Sequence, residues 1–184
     1  YEQALAYYDE ILEINQTHYP QYLAMVLINI GGVYDKMGDP KKHREYLEKA
    51  LDEGKTSRYP PGIATAYAHL GELEKKEKNY ELAKRYFLQA DQMYARMNIA
   101  AARVRPFQRL GEIALIEGDF STAREHYEQL LKLAENSEDI SSLALAHQGL
   151  ASVDSALGDM FSAYQHLYSY AEYLDSFHTS SYDE

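Results

Sequence analysis

The sequence, 184 residues long, contains no cysteine. Disulfide scaffolds, thiolate metal sites and cysteine nucleophiles are therefore excluded, while the compartment stays open. Positive charge is also scarce: 18 Lys and Arg stand against 29 Asp and Glu, a net charge of −11. Binding to a phosphate backbone or an anionic membrane needs clustered cations, so neither nucleic acid nor lipid is an expected partner. The densest basic run, Lys75, Lys76 and Lys78, is interleaved with Glu72, Glu74 and Glu77, the pattern of a solvated helix face. No apolar run approaches the roughly 18–20 residues of a membrane span. No signal peptide is visible. Tyr1 in place of an initiating Met leads to the expectation of a processed or excised piece. Location is left open between cytoplasm and, if a signal was removed, periplasm.

Catalytic and cofactor motifs are missing too. The seven histidines are scattered at 18, 43, 69, 126, 147, 166 and 178, and no two lie four residues apart. HExxH-type metal pairs are therefore absent, and His126 and His166 read as helix-surface residues. Gly31-Gly32 falls inside a helical pattern, and neither GxxxxGK[ST] nor GxGxxG occurs. Asn15-Gln16-Thr17 matches a glycosylation sequon, a match that arises by chance at this length. No catalytic residue, metal ligand or cofactor is expected, and the chain reads as a non-enzyme.

What is present is a ruler of 40 residues. Gly31, Gly71 and Gly111 mark it, and Ala151 takes the next mark. Ile30, Leu70, Leu110 and Leu150 precede the marks; Gly38, Lys78, Gly118 and Gly158 follow seven later, each with Asp39, Asn79, Asp119 or Asp159 next to it. His43, Ala83, Ala123 and Ala163 come twelve after the marks, and Leu47, Phe87, Tyr127 and Leu167 sixteen after. Such a period signals a solenoid, whose units bury their apolar faces by stacking. Within residues 64–97, apolar positions recur at i, i+3, i+4 and i+7 on both sides of Lys78-Asn79. That pattern predicts two amphipathic helices and a turn. The glycines are expected to end the first helix in the left-handed conformation, and Asp39, Asn79, Asp119 and Asp159 to cap the second. Pro40 suits the first helical position.

The pattern resembles the tetratricopeptide repeat (TPR). Ile30-Gly31, Tyr34, Gly38-Asp39, Leu47 and Ala50 carry it first; Leu70-Gly71, Ala83, Phe87 and Ala90 second; Leu110-Gly111, Gly118-Asp119, Ala123 and Tyr127 third; Leu150, Gly158-Asp159, Ala163 and Leu167 fourth. The period exceeds the family's usual 34, as in longer-repeat arrays. The resemblance implies an all-α, right-handed superhelical solenoid of antiparallel helix pairs. The expected organisation is a truncated repeat helix at 1–15, repeats at 24–63, 64–103, 104–143 and 144–174, and a frayed tail at 175–184, all in one domain.

The family's groove positions, carried over, fall on Met25, Ile28, Lys36, Glu72, Lys75, Lys76, Arg105, Gln108, Glu112, Ile116 and Gln148. Family members that hold chaperone tails clamp them with Lys and Asn. Here those positions hold Ile28, Ala68, Gln108 and Gln148, then Gly32, Glu72, Glu112 and Ser152, so that role is not expected. Leu115 and Ile116, with Met25 and Ile28, are expected to offer apolar pockets for an extended or helical peptide. The alternative is that these side chains simply pack between neighbouring helices. Tyr7, Tyr8, Tyr34, Tyr67, Tyr80, Tyr86, Tyr94 and Tyr127 read as core, whereas Tyr164, Tyr168 and Tyr170 on the last helix read as an end face open to a partner or a second copy. The ending Tyr170–Phe177 also resembles the close of TPR sensor regions in bacterial signalling proteins. Protein or peptide binding in a sensory context is the resulting expectation, with a free-standing scaffold or adaptor as the alternative.

Overall fold

The computed structural model describes the backbone of residues 1–180 and the side chains of residues 1–175. It is all-α: among the described residues there are nine α-helices, one short 3-10 turn and no strand. The helices are α1 (Glu2–His18), α2 (Leu23–Met37), α3 (Pro40–Thr56), α4 (Pro60–Lys76), α5 (Tyr80–Arg96), α6 (Ala100–Glu117), α7 (Phe120–Ser137), α8 (Ile140–Leu157) and α9 (Met160–Ser180), with the turn at Pro20–Tyr22. They fall into two compact units, Tyr1–Met97 and Asn98–Glu184. The first contains the pairs α2/α3 and α4/α5, preceded by α1; the second contains α6/α7 and α8/α9.

The turns follow the predicted chemistry with one exception. Gly38, Gly118 and Gly158 adopt φ of 77°, 77° and 81°, the left-handed region where a side chain would be strained. Asp39, Asp119 and Asp159 accept the backbone N–H of Lys42, Thr122 and Ser162 at 3.0–3.1 Å. Asn79 does not cap α5; its side-chain amide instead donates to Glu74 at 2.8 Å. An N-cap would use the side-chain oxygen as acceptor, whereas this bond uses the amide N–H as donor to a buried carboxylate. The helix α9 runs on to Ser180, through the start of the stretch expected to fray, because no Gly or Pro interrupts 160–180. The rest of that tail, 181–184, lies outside the described residues.

Small residues bring the helices of each pair together. A Cβ on Gly71 would lie 2.8 Å from the Phe87 ring, and one on Gly111 2.8 Å from Tyr127. In the first unit Ile28, Leu47, Ala50, Ala66 and Leu70 form one cluster; in the second, Ala114, Ala123, Tyr127, Leu150 and Val153 form another. Of the tyrosines expected in the core, Tyr94 and Tyr127 are buried and Tyr8, Tyr34, Tyr67, Tyr80 and Tyr86 half-buried, but Tyr7 is exposed. It lies on α1, which buries no residue and packs mainly on α2 and the 3-10 turn.

A charged contact also repeats. Arg44 on α3 bonds Glu74 on α4, and Arg124 on α7 bonds Asp154 on α8, each pair 30 residues apart. Both carboxylates are buried. In the 30-residue spacing the next positions hold Lys84 and Ala114, which has no acceptor in its side chain, and Lys84 pairs with Glu81 in its own helix.

Candidate functional site

In the first unit the groove positions lie on α2 and α4. Ile28 is only 4% exposed and belongs to the core cluster, so it is no ligand contact. Its branched side chain fills the space between α2, α3 and α4, and Met25 packs half-buried against the same cluster. The family's groove position is thus core at this repeat. Lys76 donates to both oxygens of Asp35, at 2.8 and 3.1 Å, tying α4 to α2. The bond from Lys76 holds the Asp35 carboxyl below its usual range against the opposing effect of burial. Lys76 therefore closes the helix pair, leaving Lys36 exposed and Glu72 and Lys75 half-buried beside it.

The second unit brings its groove positions together. Gln108, Glu112 and Leu115 on α6 face Leu145, Gln148 and Ser152 on α8 across an open cleft of about 230 Å³. Tyr127 forms part of the wall. Its ring is held between two glycines, since a Cβ on Gly149 would lie 2.2 Å from the ring and one on Gly111 2.8 Å. Burial, with the nearby Glu112 carboxylate, pushes the Tyr127 hydroxyl up, so it is a neutral donor at ordinary pH. Glu112 is already bonded: Arg109 Nη1 donates to it at 2.8 and 2.9 Å and Gln108 Nε2 at 3.1 Å. The cleft thus offers amide and hydroxyl groups beside two leucines, with its carboxylate neutralised from within. Such a mixture suits peptide backbone and apolar side chains better than a free cation. Arg105 is exposed on α6 and Ile116 is exposed near its end; neither lines the cleft.

The tyrosine cluster of α9 divides. Tyr164 and Tyr168 point outward, while Tyr170 turns inward with Tyr173. These two, with Leu174, Ile140, Ala144 and Leu145, line an almost wholly apolar cleft of about 290 Å³ between α8 and α9. Behind it His147 and His166 meet with their Nδ1 atoms 2.9 Å apart, and Tyr173 stacks on His147. His166 is therefore not simply a surface residue. Its Nε2 lies 3.6 Å from Asp154, whose Oδ2 has no hydrogen-bond partner. No group of three or more metal-ligating side chains occurs among the described residues. No helix there is long and apolar enough to cross a membrane.

The tetratricopeptide repeat family matches residues 26–53, 64–96 and 104–137, just over half of the chain. A Danio rerio "Tonsoku-like protein" is 26% identical over 126 residues, covering 67% of this chain and 9% of that protein. A "Sol locus transcriptional repressor" of Clostridium acetobutylicum is 28% identical over 116 residues, 61% of this chain and 33% of the repressor. The chain thus spans a third or less of the curated relatives it matches. Crystal structures share the fold: BtubC of P. vanneervenii superposes with a TM-score of 0.86 at 21% identity, over 96% of this chain and 74% of that one. A STAND signal-transduction ATPase with a tetratricopeptide repeat sensor, from Pyrococcus horikoshii, gives 0.79 at 20% identity, over 98% and 28%. The chain belongs to the tetratricopeptide repeat family, whose members are protein-interaction modules.

Proposed function

We propose that this chain is a non-catalytic module that binds a peptide or protein segment in the cleft between α6 and α8, as the sensory or regulatory part of a bacterial signal-transduction protein. The observation that carries the binding reading is the pairing of Gln108 and Gln148, one period apart, across a cleft walled by Leu115 and Leu145. Amides at one repeat spacing suit the main chain of an extended segment, and the leucines suit its apolar side chains. The regulatory context rests on likeness to a structure described as a repeat sensor and to a relative named as a repressor.

The test is selection of peptides on the immobilised intact chain from a display library, followed by fluorescence anisotropy with the selected sequences. Gln108→Ala with Gln148→Ala should weaken binding by about tenfold or more, since two amide bonds are lost. Circular dichroism should not change, because Gln148 is exposed and Gln108 half-buried. Equal affinity in the double variant would remove the cleft as the site. The intact mass of the product in its source cells addresses the context. A product much larger than 184 residues supports a sensory region, and one of this size supports a free-standing adaptor.

A further inference from the structure

The side chain sixteen past each mark of the ruler is apolar in three repeats and phenolic in one: Leu47, Phe87, Tyr127 and Leu167. Phe87 is fully buried, and a Cβ on Gly71 would meet its ring at 2.8 Å, just as one on Gly111 would meet Tyr127. Packing at this position is therefore complete without a hydroxyl. Tyr127 carries one all the same, on a ring only 3% exposed. Gly111 and Gly149 hold that ring from two sides, which fixes the hydroxyl in the wall of the α6/α8 cleft. It makes no hydrogen bond to any described residue. A hydroxyl so deeply placed is costly without a partner, and the cleft is the side from which a partner can come.

An acceptor lines the same cleft. Gly149 and Ser152 lie three residues apart on one face of α8, and both line the cleft with Tyr127. Ser152 Oγ donates its proton to the Gln148 carbonyl at 3.0 Å, which leaves that oxygen an acceptor. At about 230 Å³ the cleft has room for one side chain between Leu115 and Leu145. Its carboxylate, Glu112, is held by Arg109 and Gln108. The charge of Glu112 adds to burial in pushing the Tyr127 hydroxyl up, so an anion placed on that hydroxyl would meet the same repulsion. A donor and an acceptor in a cleft that disfavours anions are complementary to a carboxamide, whose C=O accepts and whose NH2 donates.

We propose that the α6/α8 cleft is a specificity pocket for one carboxamide side chain, asparagine or glutamine, of the bound segment, with the Tyr127 hydroxyl donating to its oxygen and Ser152 Oγ accepting from its nitrogen. The proposal rests on the reading of this cleft as the peptide site, and it leaves Gln108 and Gln148 to the main chain of the segment. Aspartate in the same place brings a second carboxylate toward Glu112 and has no proton for Ser152. Lysine offers no acceptor to Tyr127. Leucine suits the walls but leaves both polar groups unpaired, and a site built to bond a polar group rejects an analogue that lacks it.

The experiment selects peptides from a random display library on the intact chain and, in parallel, on Tyr127→Phe. A phenyl ring already fits this position in the first unit, at Phe87, and urea melts check that the variant keeps its fold. The intact chain should enrich asparagine or glutamine at one fixed position, and Tyr127→Phe should not. The strongest peptide from the intact chain is then synthesised with a fluorescent label, alongside versions with leucine or aspartate at that position. On the intact chain each replacement should weaken binding by about tenfold or more; on Tyr127→Phe, and on Ser152→Ala, the loss with leucine should shrink to about threefold or less. Enrichment without a fixed asparagine or glutamine, or an undiminished leucine loss in either variant, overturns the proposal, while the peptide site stands if Gln108→Ala with Gln148→Ala weakens binding. No enrichment on the intact chain, or binding that this pair of substitutions leaves unchanged, overturns both.

Discussion

Replacing Arg124 with Met should destabilise the second unit more than replacing Arg44 with Met destabilises the first. Both arginines bond a buried carboxylate on the next helix, and both are about one-third exposed. The difference lies in what is left behind. Without Arg44, Glu74 keeps the Asn79 amide at 2.8 Å. Burial alone would raise the Glu74 carboxyl, but the bonds from Arg44 and Asn79 together hold it below its usual value, so one of two stabilising donors survives. Without Arg124, Asp154 is 0% exposed, with one oxygen already lacking a hydrogen bond and His166 Nε2 no nearer than 3.6 Å. Breaking a buried pair costs about 3–5 kcal/mol. The partial exposure of the arginine reduces this to about 2–3 kcal/mol for Arg124→Met. Loss of one charged hydrogen bond, with the other retained, suggests about 1–2 kcal/mol for Arg44→Met. The assay is urea unfolding, with native-state hydrogen exchange of α8 and of α4 to assign each loss to its unit. A third variant, Arg124→Met with Asp154→Leu, should recover most of the loss, since the stranded charge is gone. The reasoning is refuted if Arg124→Met costs no more than Arg44→Met, or if the double variant is as unstable as the single one.

Further outcomes follow from the same contacts. Gly149→Ala places a Cβ 2.2 Å from the Tyr127 ring and should cost about 1–3 kcal/mol in urea melts, with loss of any peptide bound at the α6/α8 cleft. Ala123→Leu, at a position with 0% exposure, should cost a similar 1–3 kcal/mol by overpacking; an unchanged midpoint would mean that α7 has room to spare. Asp119→Ala removes the bond to the Thr122 N–H and should cost about 1 kcal/mol, read as earlier fraying of α7. Acid should lower the melting temperature from about pH 6.5 downward. Burial lowers His147, helped by His166 and opposed by Glu135; burial likewise lowers His43, opposed by Asp35 and helped by Lys76 and Arg44. With folded values below the unfolded 6.5, the native state binds fewer protons, so this stability is complete above pH 6.5 and lost below it. His147→Phe, matching Phe107 one period earlier, should flatten part of that dependence; an unchanged slope would clear the histidine pair of the effect.

The architecture was legible because each mark on the ruler meets a local demand that recurs. Gly38, Gly118 and Gly158 each end a helix in the left-handed region, and Asp39, Asp119 and Asp159 each cap the next one. A comparison at 40 residues sees only residues that play the same part twice. Arg44 and Glu74 play different parts, on the second helix of one repeat and the first helix of the next, and the same holds for Arg124 and Asp154. Their spacing is 30, so a comparison at 40 residues aligns Glu74 and Asp154 with Tyr34 and Ala114 and never with their arginines. Gly149 has His69 and Arg109 as counterparts, so the ruler passes over it; it answers to one particular ring, Tyr127. The tyrosines of α9 read as one group, but at 3.6 residues per turn Tyr164 and Tyr168 share a face that Tyr170 leaves.

The groove positions differ between the two units for one reason, which is the polarity of the side chain at a fixed position. Ile28 fills that position, enters the core and offers nothing to a ligand, whereas Gln108 and Gln148 are too polar to enter and remain at the cleft. Position alone therefore assigns a helix face, and the residue decides whether that face is spent on packing or left for a partner. By that argument recognition in this chain is sought where its repeats disagree: at Gln108 and Gln148 against Ile28 and Ala68, and at Tyr127 against Leu47, Phe87 and Leu167. Restoring agreement at one such position, with Gln148→Ala or Tyr127→Phe, should alter binding without altering the fold.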